Sequence, residues 1–227
     1  MFKLTRLLYF PNDRSVADRE AVAQTLREVS GQSPTVTRFM LEPTLPGVMN
    51  GGNFIWHLQF ADEAAYRACL AQANWREKVD PLFKDGTFKR FQSVAYEGGL
   101  GGARPVKLSQ GVYRTLILTV KPGASPKSIA QFEHELSGMP KYISSIKNWQ
   151  MSHVSEAAGD RQWTHVWEQE YENLAGLTGP YMNHPFHWAL VDRWFNPECS
   201  QWIVDKVLCH TYCEFKASVL GAGKLAG

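Results

Sequence analysis

The chain has 227 residues, 44% apolar and 20% charged, with 24 basic against 22 acidic side chains and a formal net charge of +2. That balance suits one large or two small globular domains and carries no basic stripe for nucleic acid or an anionic membrane. No run of about 18 apolar residues offers a membrane span, and the segment from Met1 to Phe10, with charges among its apolar residues, reads as a strand rather than a leader.

Thr5 to Phe10 alternates as a first strand, and Pro11-Asn12-Asp13 breaks it. Apolar residues at three- and four-residue steps predict a helix over Ser15 to Val29, with Asp13 or Ser15 as its cap. Thr35 to Leu41 is strand-like, Pro43 to Gly52 is a loop, and Asn53 to Phe60 alternates again. Asp62 caps a helix through Ala64 to Leu70, a second helical stretch covers Asn74 to Phe83, and Phe88 to Tyr96 closes the unit. The order is βαββαβ, the ferredoxin-like arrangement.

Four glycines and a proline between Gly98 and Pro105 then mark a flexible connection, assigned to residues 99–111. Beyond it the order recurs. Val112 to Val120 is a strand, Lys127 to Leu136 a helix, and Tyr142 to His153 a strand. Ala157 to Asp160 is a hairpin loop and Gln162 to Tyr171 the third strand. Helices follow over Leu174 to Met182 and Pro185 to Phe195, and Lys206 to Phe215 is the last strand. Trp188, Trp194 and Trp202 are expected in the core. Trp56 aligns with Trp167, Phe60 with Tyr171 and, after one inserted residue, Asp80 with Asp192. The expectation is an α+β chain of two fused repeats, 1–98 and 112–216, with a tail over 217–227 that frays from Gly221. Each repeat covers the sheet face that the other's helices leave bare.

The chemistry-bearing residues crowd into the second repeat. His165, Trp167, Gln169 and Tyr171 share one strand face, an aromatic wall holding one imidazole and one amide. Glu168 and Glu170 take the opposite face, toward the other repeat, where a Lys or Arg could pair with them; an exposed edge or a paired-carboxylate site are the alternatives. Pro185 suits a first helical turn, so His184 reads as a cap, with His187 inside that turn. The helix dipole keeps an imidazole there neutral and able to accept a proton. Tyr181 lies across the turn from it. The alternative for each is a satisfied core or capping group. His57 reads as structural, and His134, His153 and His210 carry no assigned role.

No phosphate loop, Gly-Xaa-Ser-Xaa-Gly elbow or His-Glu-Xaa-Xaa-His string occurs. Cys69, Cys199, Cys209 and Cys213 lack disulfide spacing, which points to a cytoplasmic protein. Cys209 and Cys213 fall on one strand face and His210 on the other, so the string reads as packing rather than a metal pair.

Thr164-His165-Val166-Trp167-Glu168 followed by Tyr181 and His184-Pro185-Phe186-His187 resembles the dimeric α+β barrel, or stress-responsive A/B barrel, family over roughly Val112 to Phe215. The likeness is to its olivetolic acid cyclase-like members. It implies ferredoxin-like units pairing into an eight-stranded barrel, here a pseudo-dimer within one chain, with further homo-oligomerisation open. It also implies a cofactor-independent, metal-free site for cyclisation, isomerisation or lyase chemistry on a small aromatic or polyketide-like molecule. His187 corresponds to the catalytic histidine, Tyr181 to its partner and His165 to a further pocket histidine. Where those members carry a first-strand histidine this chain has Arg114, which cannot act as a base but can bind a carboxylate or an enolate. Arg114, Trp167, Gln169 and Phe132 are the expected substrate contacts. A non-catalytic small-molecule-binding stress protein and a haem-binding barrel enzyme are the alternatives. Neither nucleic acid nor a membrane is an expected partner.

Overall fold

Strand β1 (Phe2–Tyr9) shows in its alternation how the barrel is layered. Phe2, Leu4 and Leu8 face the helices of the first repeat, whereas Lys3, Thr5 and Leu7 face the second sheet, and all are buried. A strand covered on both faces needs apolar residues on each, so the polar pair on the inner face requires partners there. A computed structural model describes residues 1–220; the expected fraying over Gly221 to Gly227 lies outside them.

The first repeat continues through α1 (Val16–Gln32), β2 (Val36–Pro43), β3 (Phe54–Phe60), α2 (Glu63–Ala71), α3 (Ala73–Lys78) and β4 (Arg90–Glu97). Ser15 caps α1 by accepting from the Asp18 amide, and Asp62 caps α2 by accepting from that of Ala65. After β5 (Leu100–Ala103), the second repeat comprises β6 (Gly111–Leu118), α4 (Pro126–Tyr142), β7 (Asn148–His153), β8 (Glu156–Gly159), β9 (His165–Tyr171) and β10 (Cys209–Phe215). The sheets are β2-β3-β1-β4-β8 and β10-β6-β9-β7-β5, with every pairing antiparallel. Without β8 and β5, each repeat has the same order, its second strand at one edge and its fourth at the other. The two ferredoxin-like repeats are fused in one α+β barrel.

Two of these strands were expected to be loops. Residues 100–103 of the glycine-rich connection pair with β7, and residues 157–159 of the supposed hairpin loop belong to β8, which pairs with β4. Gln92 opposite Gly159 and Ala103 opposite Asn148 keep one common register. Segments 90–103 and 148–159 therefore form a single bent ribbon that passes from one sheet to the other. Glycine is required for close approach there, not for slack: a Cβ on Gly99 would lie 2.2 Å from the Met151 carbonyl oxygen. The opposite seam is closed by backbone bridges Thr44–Cys213 and Met49–His210.

Between the sheets, Lys3 Nζ pairs with Glu168 Oε2 at 2.9 Å and Tyr113 donates to Oε1 at 2.8 Å. Thr5 Oγ1 lies 2.9 Å from both His57 Nδ1 and Tyr96 Oη. Burial pushes the Glu168 carboxyl up, but the Lys3 ammonium, with the Tyr113 hydroxyl, outweighs it and holds the group below its usual range. Burial drives His57 down to about 3, so it is neutral. Glu170 accepts from Asn148 and Ser218 side chains and from the Val219 and Leu220 amides. Residues 218–220, the start of the expected tail, are thereby tied to the barrel.

Three helical expectations change. Helix α4 continues past Leu136 through Pro140, because Met139 and Pro140 are buried against the sheet and packing outweighs one lost N–H bond; β7 then begins at Asn148, not Tyr142. The Asn74 to Phe83 stretch divides into α3 and a 3₁₀ turn, Asp80–Phe83. The two helices before β10 are wide π-type turns, Leu177–Tyr181 and Phe186–Val191, with Pro180 accommodated inside the first. Trp194 is buried as expected, whereas Trp188 is 58% exposed, because the widened turn points it to solvent.

Candidate active site

In the first repeat buried aromatic rings occupy the space between sheet and helices. Trp75 of α3 stacks on Trp56 with ring centroids 5.3 Å apart, and the Arg6 guanidinium lies 4.4 Å from the Phe83 ring centre. In the second repeat no tryptophan replaces Trp75, and the two π turns arch over β6, β9 and β10. They leave a cavity of about 260 Å³. Such turns recur at functional sites because they displace side chains from helical register.

Arg114, Trp167, Tyr181 and His187 all line this cavity, with Asp192 and His210 among apolar side chains that include Leu116, Leu136 and Phe195. Met49, from the loop after β2, forms part of the wall, so the first repeat contributes to it. Arg114 is 3% exposed; its Nη1 donates to Gln169 Oε1 at 2.6 Å and its Nε to His210 Nε2 at 2.8 Å. An imidazole nitrogen that accepts must be unprotonated, and burial and then Arg114 lower the His210 pKa to about 3.

His187 and Tyr181 stack with ring centroids 4.6 Å apart, and the Arg114 guanidinium carbon lies 5.1 Å from the Tyr181 ring centre. Burial and then Arg114 take His187 down to about 4, so it is neutral at pH 7. Its Nε2 is 3.8 Å from Asp192 Oδ1, and its Nδ1 is buried with no partner among the described residues. Burial raises the Tyr181 pKa, with Arg114 opposing, so the phenol stays protonated. The Trp167 indole and Gln169 amide approach its oxygen closely enough to favour phenolate, yet neither N–H forms a well-aligned bond. A neutral base, a phenol, a guanidinium and the unpaired Trp167 indole thus surround one apolar space.

The remaining expected residues fall elsewhere. Gln169 is behind the cavity and holds Arg114. Phe132 packs edge-on against His165, Trp194 and Phe195. His165 is not in the cavity wall: its Nε2 meets Glu133 Oε1 at 3.0 Å and its Nδ1 meets Thr164 Oγ1 at 2.7 Å. It lies at the outer end of β9, with Phe132 interposed. His184 is a cap, its Nδ1 accepting from the Phe186 amide at 3.1 Å. His210 and Asp192 were missed. Strand parity could have found His210, which sits opposite Leu116 on β6 and on the face away from Cys209 and Cys213.

Two ferredoxin-like sheets closing on each other, with one occupiable space under the helices of the second, define an α+β barrel with a small-molecule-sized site. Residues 112–207, the second repeat, match the Stress responsive A/B Barrel Domain. No curated protein matches the chain in sequence. Among solved structures, an anthrone oxidase-like protein superposes with TM-score 0.66 at 10% identity, covering 98% of this chain and 96% of its own. A candidate monooxygenase from Fusobacterium nucleatum gives 0.61 at 8% identity, covering 98% and 94%. A chlorite dismutase variant from Candidatus Nitrospira defluvii gives 0.51 at 7% identity, covering 93% and 90%. At these identities the likeness is one of fold. No helix among the described residues is long and apolar enough to cross a membrane.

Proposed function

We propose that the second-repeat cavity is the active site of a cofactor-independent enzyme that removes a proton next to a carbonyl of a small aromatic or polyketide-like substrate. The supporting observation is that His187, Tyr181 and Arg114 converge on one apolar cavity, with His187 Nδ1 buried and unpartnered. His187 takes the proton from carbon. The electron pair moves onto the carbonyl oxygen, and the enolate is met by the Tyr181 hydroxyl and the Arg114 guanidinium. Ring closure, isomerisation or carbon–carbon cleavage would follow from the same enolate.

A free imidazole at about pKa 4 is a weak base. The positive charge of Arg114 contributes to that depression, so an anionic or enolising substrate against Arg114 would lift His187 toward its working range. The cavity is at the small end for ligand sites, which run from about 300 Å³ upward, and suits a single-ring compound. The test is solvent-deuterium exchange into a panel of aryl ketones and aryl β-keto acids, followed by NMR. Wild-type protein should accelerate exchange next to the carbonyl, and His187→Ala should abolish the acceleration while circular dichroism stays unchanged. Equal rates for the two proteins would overturn the assignment of the base. Stoichiometric binding without exchange would instead favour a carrier.

A further inference from the structure

His165, placed outside the cavity, belongs to a different constellation. His153 on β7 and His165 on β9 are direct cross-strand partners. Glu133 reaches over both from α4. His153 Nε2 lies 2.6 Å and His165 Nε2 3.0 Å from the same Glu133 oxygen, and the three potential ligand atoms all lie within 4.8 Å of one another. Two imidazoles aimed at one carboxylate oxygen are unusual for a surface ion pair. They are the donor set of a two-histidine, one-carboxylate metal site.

We propose that Glu133, His153 and His165 bind a divalent transition-metal ion, with Zn²⁺ the best chemical match. Tetrahedral bonds of about 2.0–2.1 Å would set neighbouring ligand atoms about 3.3 Å apart. Exposed His153 can make that adjustment by side-chain rotation, whereas His165 is held firmly. The Thr164 hydroxyl lies 2.7 Å from His165 Nδ1 and accepts from the Val120 amide at 2.8 Å. With the metal bound, Nδ1–H donates to that oxygen, which fixes the ring and leaves the Nε2 lone pair for the ion. His153 is 69% and Glu133 28% exposed, so the ion has a path from solvent and a water can complete its coordination. All three residues sit on regular elements packed in the core of the second repeat, which makes the site preorganised. The ion would clamp α4 to the β7–β9 pair. The cavity is a separate site, with Phe132 between the two.

The test uses untagged, chelator-treated full-length protein, with Zn²⁺ titrated in competition with a chromogenic chelator and Co²⁺ as the visible probe. One equivalent of Zn²⁺ should bind at micromolar concentration or tighter, and Co²⁺ should develop the ligand-field bands of a four- or five-coordinate nitrogen–oxygen site. Glu133→Gln and His153→Ala alter partly or largely exposed side chains and should remain folded. Each should weaken binding by more than about tenfold, a loss that even an outer-sphere partner can produce. His187→Ala should bind Zn²⁺ as wild type does. The proposal fails if wild-type protein takes up no stoichiometric Zn²⁺ at about 100 μM, a concentration well above the expected Kd. It also fails if both ligand variants keep wild-type affinity, or if His187→Ala removes binding, which would move the ion to the cavity.

Discussion

Replacing Lys3 by Met tests whether the inner faces of the two repeats are held by charge. Lys3 and Glu168 are 2% and 0% exposed and 2.9 Å apart. In the variant Glu168 keeps the Tyr113 hydroxyl and a His57 nitrogen at 3.8 Å, but no cation. Removing one member of a buried pair costs about 3–5 kcal/mol, which for a chain of this size lowers Tm by roughly 6–20 °C. Urea unfolding followed by fluorescence and by circular dichroism measures it, with coincident transitions as the two-state check. The pH dependence carries a sign. In the wild type the depressed Glu168 pKa contributes stability above the unfolded value near 4.3, which is lost as pH falls through the folded value. In Lys3→Met the folded pKa is instead raised, so the penalty is full at pH 8 and shrinks as pH falls toward about 5. Adding Glu168→Leu should restore most of the stability, because an apolar pair can replace a buried ionic one. A penalty under about 1 kcal/mol, or one unchanged between pH 8 and pH 5, would refute the reasoning.

Other perturbations follow from the same geometry. The His187 ring protons should titrate near pH 4 by NMR, and Arg114→Met should raise that value, since Arg114 lowers it. No upward shift would remove Arg114 from the electrostatics of the site. His57 must stay neutral when folded, with a pKa of about 3, so wild-type stability should decline as pH drops from about 6.5 toward 3, and His57→Asn should flatten that slope. Gly99→Val drives a side chain toward the Met151 carbonyl; urea titration should show a loss of roughly 1–3 kcal/mol. Trp75→Ala should cost about 3–5 kcal/mol and open in the first repeat a hole that added indole refills, raising Tm.

The repeat order and the facing of β9 and β10 were legible because period-two alternation holds even where both faces are buried. The inward direction of Glu168 followed from strand parity and the fused barrel, which left a Lys or Arg partner or an exposed edge open. Only the structure could identify the lysine, since Lys3 is 165 positions away. In the second repeat, Arg114, Trp167, Tyr181 and His187 line one cavity, a grouping that the family resemblance implied and that spacing alone did not. His165 was misplaced because parity gives the face of a strand but not the position along it: His165 is the first residue of β9, beyond the reach of the π turns. Asp192 was hidden by its equivalence to Asp80: each opens a 3₁₀ turn, but only Asp192 follows a wide turn with a cavity beneath it. The glycine-rich stretch misled because composition alone does not distinguish a slack tether from a backbone with no room for side chains.

The single register shared by segments 90–103 and 148–159 has a consequence for how such a chain can be taken apart. A protease cut or a gene split at the apparent boundary would not release two independent modules. Each piece would lose an edge strand to the other and expose an unpaired backbone ladder. Co-expressed fragments should instead find each other through that ladder and reassemble as a split protein. The same topology that joins the repeats would make this chain a conditional reporter, assembled only when both pieces are present.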